Sequence, residues 1–231
     1  MNWADRAATY DNLNWAKDKD YLDAVLKACA LSPDHKVLDA GCGTGRVTRA
    51  LKVSEVVGVD ISPEMLALGP PGTLVGDIRN LELPSSYFDC VIARMVFHHI
   101  IEGLERAVHE CHRVLKPGGR LVIAEGIPPH PSMKKWFATM MSFKEKRHTF
   151  LLGDLAVLLD GFTAIDVTYL VQPQMSLRNW LENGGVPDAS KAAIWKMHKM
   201  LNVDERAHYN LVETKDDILM DWIVCIAVGI K

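Results

Sequence analysis

A short run at residues 37–45 constrains the possible folds of this chain more than any other feature. It reads Val-Leu-Asp-Ala-Gly-Cys-Gly-Thr-Gly, an apolar strand with an acidic residue near its end and then a loop with glycine at every second position. Backbone N–H groups in such a loop can approach a ligand closely, because glycine has no Cβ atom. A helix predicted over residues 46–51 presents its free N–H groups and partial positive charge to the same ligand. The run therefore predicts a site for a nucleotide-like cofactor.

The spacing of the glycines indicates which cofactor fits. A dinucleotide-binding loop has the pattern G-x-G-x-x-G, whose third glycine allows close packing of helix on strand. Here Gly41 and Gly43 match the first two positions, but Arg46 occupies the third and Gly45 precedes it. This spacing argues against a nicotinamide-dependent oxidoreductase. The run instead resembles motif I of the class I S-adenosylmethionine (SAM)-dependent methyltransferases.

Other motifs carry the same resemblance over residues 10–125, in order and with matching spacing. Gly76-Asp77-Ile78 follows a predicted strand, residues 88–94 (FDCVIAR) resemble motif IV, and residues 113–121 (RVLKPGGRL) resemble a later signature. The nearest similarity is to the subgroup that contains quinone-biosynthesis and other small-molecule methyltransferases. The resemblance implies SAM as cofactor. It also implies cofactor-binding roles for Tyr10, Asp39, Gly41, Gly43, Gly45, Asp60, Ile61, Met65, Asp77, Ile78 and Arg94.

Four of these assignments have simpler alternatives. Asp60 ends a strand, where a carboxylate can accept both ribose hydroxyls. The alternative is that it caps the helix predicted at residues 63–68, a role that Ser62 could fill equally well. Asp77 could belong to an ordinary Gly-Asp turn. Arg94 could be a surface residue, and Tyr10, which could cover the cofactor's sulfonium, could be a half-buried packing residue.

Apolar strand-like runs alternate with helical patterns, which predicts an α/β fold around a mostly parallel sheet. The resemblance refines this to a doubly wound, Rossmann-like sheet of seven strands, with the last strand antiparallel and a helical cap. We expect a helix stop and a turn at residues 116–119 (KPGG). We expect strands at residues 36–39, 56–60, 73–75, 88–93, 120–125, 162–171 and 222–230, and helices at residues 22–30, 101–115, 154–159, 177–182 and 191–201.

The regular alternation breaks after Glu125. Two segments, residues 127–150 and 172–218, lie outside it and are candidate substrate-cap segments over one end of the sheet. With 231 residues, of which 48% are hydrophobic, the chain can bury a sizeable core. We therefore expect one domain, residues 1–231, that includes both cap segments.

Two adjacent histidines, His98 and His99, are the candidate catalytic residues. Histidine is the usual general base near neutral pH, and many small-molecule methyltransferases have a His-His pair just after motif IV. A structural role, with the ring bonded to a backbone carbonyl, is the alternative. Because neighbours on a helix point about 100° apart, we expect at most one of them to face the site.

A metal site is not predicted. His109 and His112 share a helix face, but the pattern His-Glu-x-x-His is absent and no second ligand pair stands nearby in the sequence. An ordinary mixed helix face is the favoured interpretation.

A basic stretch interrupted by aromatic residues lies in the first cap segment. It could steer an anionic or nucleic-acid substrate, but the favoured interpretation is an amphipathic cap helix with a solvated basic face and with Met140, Met141 and Phe143 inward. The Met-rich cap and Trp136, Trp180 and Trp195 suggest a small, partly apolar acceptor. The basic residues are Lys134, Lys135, Lys144, Lys146, Arg147 and His148, among Trp136, Phe137 and Phe143.

The overall composition limits the partners. A net charge of −3 argues against nucleic acid as an obligatory partner, and no apolar run approaches the ~20 residues of a membrane span. The N-terminal residues lack a signal-peptide pattern. The cysteines number five, are scattered and form no C-x-x-C, which is typical of free thiols in a reducing compartment and predicts a cytoplasmic protein.

The sequence therefore predicts an enzyme that transfers a methyl group from SAM to a small molecule by in-line displacement. An RNA or protein methyltransferase and a non-catalytic SAM-binding regulator are the alternatives. The methyl acceptor and the choice between monomer and homodimer stay open.

Overall fold

The computed structural model describes residues 3–231; Met1 and Asn2, which belong to the predicted domain, lie outside the described residues. The innermost strands, β1 (Lys36–Ala40) and β4 (Phe88–Arg94), are buried along almost their whole length. Parallel strands covered by helices on both faces read as near-continuous apolar runs, and the sequences KVLDA and FDCVIAR have that character.

The sheet within residues 3–231 has eight strands. Seven follow the order β3-β2-β1-β4-β5-β8-β6, and the two-residue β7 pairs with β8. Pairing is parallel from β3 to β5, whereas β8 runs antiparallel to β5, β6 and β7. The remaining strands are β2 (Glu55–Asp60), β3 (Leu74–Val75), β5 (Leu115–Ile127), β6 (Ala164–Ser176), β7 (Val212–Glu213) and β8 (Ile218–Ile230).

This topology confirms the predicted mostly parallel, doubly wound sheet with an antiparallel last strand. All seven predicted strands are present, and β7 is an addition too short for any residue period to reveal. The helices are α1 (Trp3–Tyr10), α2 (Asn14–Lys17), α3 (Lys19–Ala28), α4 (Arg46–Ala50), α5 (Pro63–Leu66), α6 (Leu104–Val114), α7 (Lys134–Ser142), α8 (Leu152–Leu158), α9 (Leu177–Asn183), α10 (Asp188–Lys199) and α11 (Val203–His208), with 3-10 turns at Phe97–His99 and Pro131–Met133.

Alternate side chains of the central strands enter two hydrophobic cores, one on each face of the sheet. Val37 of β1 joins a core with residues of α3, α7, α9 and α10. Leu38 joins the opposite core, with residues of α6 and α8. The helices of both cap segments therefore share a core with α3.

The predicted turn at residues 116–119 lies within β5 instead. Leu115 pairs with Phe88 and Arg120 pairs with Cys90, so β5 has extra residues in its register with β4. Gly118 lies in this bulge and has φ +78°, a conformation that favours glycine. The glycines thus mark an irregularity in a strand and not its beginning.

Within residues 3–231, no helix combines the length and the apolar character that crossing a membrane requires. All five cysteines are buried and unpaired. The cytoplasmic location stays a prediction.

Candidate cofactor and acceptor site

A cavity of about 460 Å³ lies at the carboxyl ends of β1, β2 and β4. Ligand pockets commonly measure about 300–1,000 Å³ and occur where the strand order of a parallel sheet reverses, as it does here between β1 and β4. All predicted site residues except Asp39 and Gly45 line this cavity. Those that do are Tyr10, Gly41, Gly43, Asp60, Ile61, Met65, Asp77, Ile78, Arg94, His98 and His99.

Glycine is required in the loop between β1 and α4 by its backbone conformation and by close contacts. All three have positive φ, at +75° for Gly41, +54° for Gly43 and +76° for Gly45. A Cβ atom on Gly41 would lie 2.3 Å from Val96 Cγ2, and one on Gly45 would lie 2.2 Å from Pro70 Cδ. Gly41 and Gly45 therefore both allow close packing of the loop, and Gly41 and Gly43 also line the cavity.

The Asp60 carboxylate links the glycine loop to the segment that begins α5. Its Oδ2 accepts the Gly43 N–H at 2.8 Å and its Oδ1 accepts the Ser62 N–H at 2.9 Å. Burial raises the pKa of Asp60. Ser62, not Asp60, caps α5, because its hydroxyl accepts the Met65 N–H. A carboxylate offers about four acceptor positions, so Asp60 retains capacity for ligand hydroxyls.

Asp39 has a different environment from Asp60. Its side chain is buried in contact with α4, where it accepts the Thr48 hydroxyl hydrogen bond at 2.6 Å. Burial raises the pKa of Asp39 to about 6. This carboxylate holds α4 against β1 and does not reach the cavity surface.

Asp77 lies at the cavity wall and is held by Arg79. The guanidinium donates from Nη2 at 2.6 Å and from Nε at 3.0 Å, and this pair lowers the pKa of Asp77. The neighbouring Ile78 is buried and lines the same wall. The carboxylate is thus fixed in place beside an apolar surface.

Arg94 is a buried cation at the end of β4. Its guanidinium lies 4.4 Å from the Tyr21 ring centroid and 5.3 Å from that of Trp15, and Nη2 donates to the Ala16 carbonyl at 3.3 Å. Its Nε is buried and has no hydrogen-bond partner among the described residues. Since a buried donor without a partner is costly, this atom can gain from an anionic ligand. Tyr10 packs edge-on against Trp15 and also lines the cavity.

The histidine pair lies on the 3-10 turn after β4, where His98 contacts Glu125 of β5. His98 Nδ1 lies 2.5 Å from Glu125 Oε2, and Glu125 Oε1 accepts the N–H groups of Val96 and His98. Burial raises the pKa of Glu125 to about 7 and lowers the pKa of His98 well below its usual value. Above pH 7 the neutral ring donates Nδ1–H to the carboxylate, which leaves Nε2 able to accept a proton.

Both histidines line the cavity, so the expectation that only one would face it is wrong. The reason is that they lie on a short 3-10 turn, with ring centroids 3.9 Å apart, and not on a regular helix. Burial lowers the pKa of His99 as well. His99 Nδ1 lies 3.5 Å from Glu145 Oε2.

The basic stretch differs most from its prediction. Helix α7 ends at Ser142, and the chain beyond it turns Lys144 and Arg147 inward, with only 3% and 7% of their side chains exposed. Phe143, expected to point inward, is 38% exposed. The solvated basic face is therefore wrong at these positions, because the helical period does not continue past residue 142.

Three potential metal ligands lie together in this region. One ligand atom each of His98, His99 and Glu145 lies within 4.8 Å of the others. Lys144 and Arg147 approach the same Glu145 carboxylate, at 3.3 and 4.0 Å, and their positive charges oppose a cation there. His112, on α6, packs edge-on against Phe162 instead.

Of the three tryptophans expected at the acceptor site, only Trp180 lines the cavity; Trp222 of β8 lies next to it. Trp136 packs against His198 and Tyr209, and Trp195 stacks under Arg178.

Sequence reasoning also missed polar groups of the cavity. His198 donates from Nδ1 to the Ile194 carbonyl at 2.8 Å, and burial lowers the pKa of this ring to about 4, so it is neutral. The buried Tyr209 hydroxyl has no hydrogen-bond partner within residues 3–231. No local pattern marks Glu125, because its partner His98 is 27 residues away in the sequence. His198 and Tyr209 reach the cavity through the tertiary packing of the second cap segment, which no local pattern marks either.

Comparisons with known proteins agree with this geometry. The model of a family described as a methyltransferase domain matches residues 38–123. A demethylmenaquinone methyltransferase from Thermotoga maritima is 33% identical over 169 residues, which cover 67% of this chain and 72% of that protein.

Solved structures extend the similarity of fold to almost the whole chain. The crystal structure of the YcgJ protein from Bacillus subtilis has a TM-score of 0.81 at 21% sequence identity, over 93% of this chain and 99% of that one. A SAM-dependent methyltransferase from Archaeoglobus fulgidus has a TM-score of 0.62 at 17% identity, over 92% of both chains.

Proposed function

The chain belongs to the class I SAM-dependent methyltransferases, and we propose that it methylates a small, partly apolar acceptor bound beneath residues 127–150 and 172–218. One observation carries this proposal. The cavity that begins at the glycine loop continues without a break to apolar residues of both cap segments, including Phe137, Met140, Leu177 and Trp180. An acceptor in its inner part would therefore lie next to the cofactor site.

The residues present fit SAM. The loop at Gly41 and Gly43 lines the cavity without side chains, and the unsatisfied Arg94 Nε suits a carboxylate. We assign Asp60 to the ribose hydroxyls, with Asp77 and Ile78 at the adenine and Arg94 at the methionyl end. SAM supplies, when bound, a methyl group on a sulfonium that is already a good leaving group.

The protein's own contribution is then mainly positioning. Walls of the cavity hold the acceptor in line with the methyl group, and the cap segments exclude water. Where the acceptor atom is a hydroxyl or an activated carbon, His98 Nε2 takes its proton, while Glu125 keeps the ring in the required tautomer. An amine or thiol acceptor does not need this step.

The same arrangement weakens the two alternatives. An RNA or protein methyltransferase was suggested by the basic stretch, but Lys144 and Arg147 point into the cavity and leave a reduced basic surface. RNA retention that falls with salt would revive that alternative. A regulator without catalysis would bind SAM but methylate no acceptor.

The test is an acceptor screen. The full chain is incubated with SAM and with small phenols, quinols and amines, and formation of S-adenosylhomocysteine (SAH) is measured. We expect acceptor-dependent SAH formation that His98→Asn lowers for hydroxyl acceptors and leaves unchanged for amines. SAH formation with RNA or protein substrates alone would contradict the proposal.

A further inference from the structure

We propose that Lys144 and Arg147 form an anion-binding subsite in the cavity, and that the acceptor carries an acidic oxygen group, a carboxylate or a phosphate. The inference rests on the proposed function, because it names the acceptor class of the same site. It begins from two basic side chains that are almost fully buried and that both line the cavity.

The contacts of these two side chains within residues 3–231 leave hydrogen-bond donors available for a ligand. The Lys144 ammonium has three donors; it lies 3.3 Å from Glu145 Oε1 and 5.7 Å from the centroid of the Trp180 ring. Arg147 donates from Nε to the His148 carbonyl at 3.3 Å, and its Nη1 lies 4.0 Å from Met141 Sδ and from Glu145. A guanidinium has five N–H donors in a fork that matches carboxylate and phosphate oxygens. Most of this capacity is unused in the described part of the chain.

The surrounding charges also favour an anion. Arg6 is a third buried cation in the cavity wall. Burial lowers the pKa of Lys144 to about 7 and also lowers the pKa of Arg147, and the positive charge of Arg6 acts in the same direction. Glu125 already accepts hydrogen bonds from the His98 turn, and Glu145 is shared among His99, Lys144 and Arg147. An anionic group would relieve the repulsion among like charges in a poorly solvated space.

The position of the subsite suits an acceptor and not the cofactor. Arg94, at the end of β4, is the cation beside the glycine loop and is assigned to the methionyl carboxylate. Lys144 and Arg147 belong to the first cap segment, and both approach Glu145, whose Oε2 lies 3.5 Å from His99 Nδ1. An acceptor anchored there by its acidic group would present its remaining atoms to the candidate base.

The closing experiment uses three matched probes of similar size: 2-naphthoate, 2-naphthyl phosphate and the neutral 2-naphthamide. Each is titrated calorimetrically into the SAH-loaded full chain. We expect the two anions to bind at least ten times more tightly than the amide, and the tighter of the two identifies the acidic group. Lys144→Met and Arg147→Met should each weaken anion binding at least fivefold and leave the amide within twofold.

The control is Lys146→Met, because Lys146 is in the same segment but exposed, and this variant should bind all three probes unchanged. Arg147→Lys should restore part of the anion affinity if Arg147→Met is poorly folded, and SAH affinity reports folding of each variant. Equal binding of anions and amide, or no anion binding at millimolar concentration, overturns the inference. Absence of SAH binding would refute the proposed function instead. The inference would then be tested separately, by titrating the same probes into the chain without SAH.

Discussion

At the scale of single residues, the proposed role of His98 as a base depends on which of its ring nitrogens carries a proton. Glu125 determines this through the 2.5 Å contact to Nδ1. One further proton on the His98–Glu125 pair leaves Nε2 protonated in either of two forms. If the ring holds the extra proton, both of its nitrogens carry hydrogen. If the Glu125 carboxyl holds it, the carboxyl donates to Nδ1 and the ring hydrogen lies on Nε2. Because burial raises the pKa of Glu125 to about 7, Nε2 is able to accept a proton above that pH and unable below it. The sequence predicted His98 but not Glu125, because the two lie 27 residues apart.

A pH–rate profile tests this interpretation with a hydroxyl acceptor. We expect kcat of the wild type to rise through about pH 7. In Glu125→Gln, the single oxygen accepts the backbone N–H groups, the amide donates to Nδ1, and Nε2 remains protonated. We expect that variant to lose about 100-fold in kcat without the rise near pH 7, and to bind SAH within twofold of wild type. An unchanged profile would show that His98 is not the base.

Asp39 and Asp60 provide a second comparison of single residues. Asp60→Asn places an amide N–H₂ against a backbone N–H and removes a charged acceptor, so we expect SAH affinity to fall about 10–100-fold, the equivalent of ~1.5–3 kcal/mol. Asp39→Asn keeps an oxygen that can accept the Thr48 hydrogen bond, and this position does not line the cavity. We therefore expect SAH affinity to change less than threefold. The measurement is calorimetric titration of SAH, and equal losses in both variants would contradict the separate roles.

At the scale of elements, the parallel strands were predictable because each is an apolar run bounded by turn residues. The end of α7 was not, since Met, Phe and basic residues continue past Ser142 at intervals that suit a helix. The inward turn of Lys144 depends on tertiary contacts with Glu145 and the cavity, which have no local pattern. The cofactor half of the candidate site follows local motifs, whereas the acceptor half is assembled from residues far apart in the chain.

The glycine loop allows a stability test at this scale. Gly41→Ala adds a Cβ 2.3 Å from Val96 at φ +75°, whereas Gly72→Ala adds one in open space at φ +85°. Both substitutions incur the cost of a left-handed conformation, ~1–2 kcal/mol. We expect Gly41→Ala to lower the free energy of unfolding by about 1–3 kcal/mol more than Gly72→Ala, measured by urea denaturation. A smaller loss in Gly41→Ala would refute the packing argument.

At the scale of the whole molecule, the two cap segments and the sheet enclose one cavity. Trp180 lines it and Trp195 does not, so the two tryptophans of the second cap segment form a matched pair. We expect Trp180→Ala to raise KM for the acceptor at least tenfold and Trp195→Ala to leave it within twofold, with SAH affinity kept in both. Steady-state kinetics with any acceptor found in the screen gives the answer, and a larger effect at Trp195 would place the acceptor elsewhere.

The account as a whole requires that the cavity bind SAM, so the most direct measurement is calorimetric titration of SAH into the full chain, with Asp60→Ala as control and NAD as competitor. The account predicts micromolar binding that is lost in Asp60→Ala and unaffected by NAD. Absence of SAH binding, or its displacement by NAD, would contradict the assignment of this cavity to SAM.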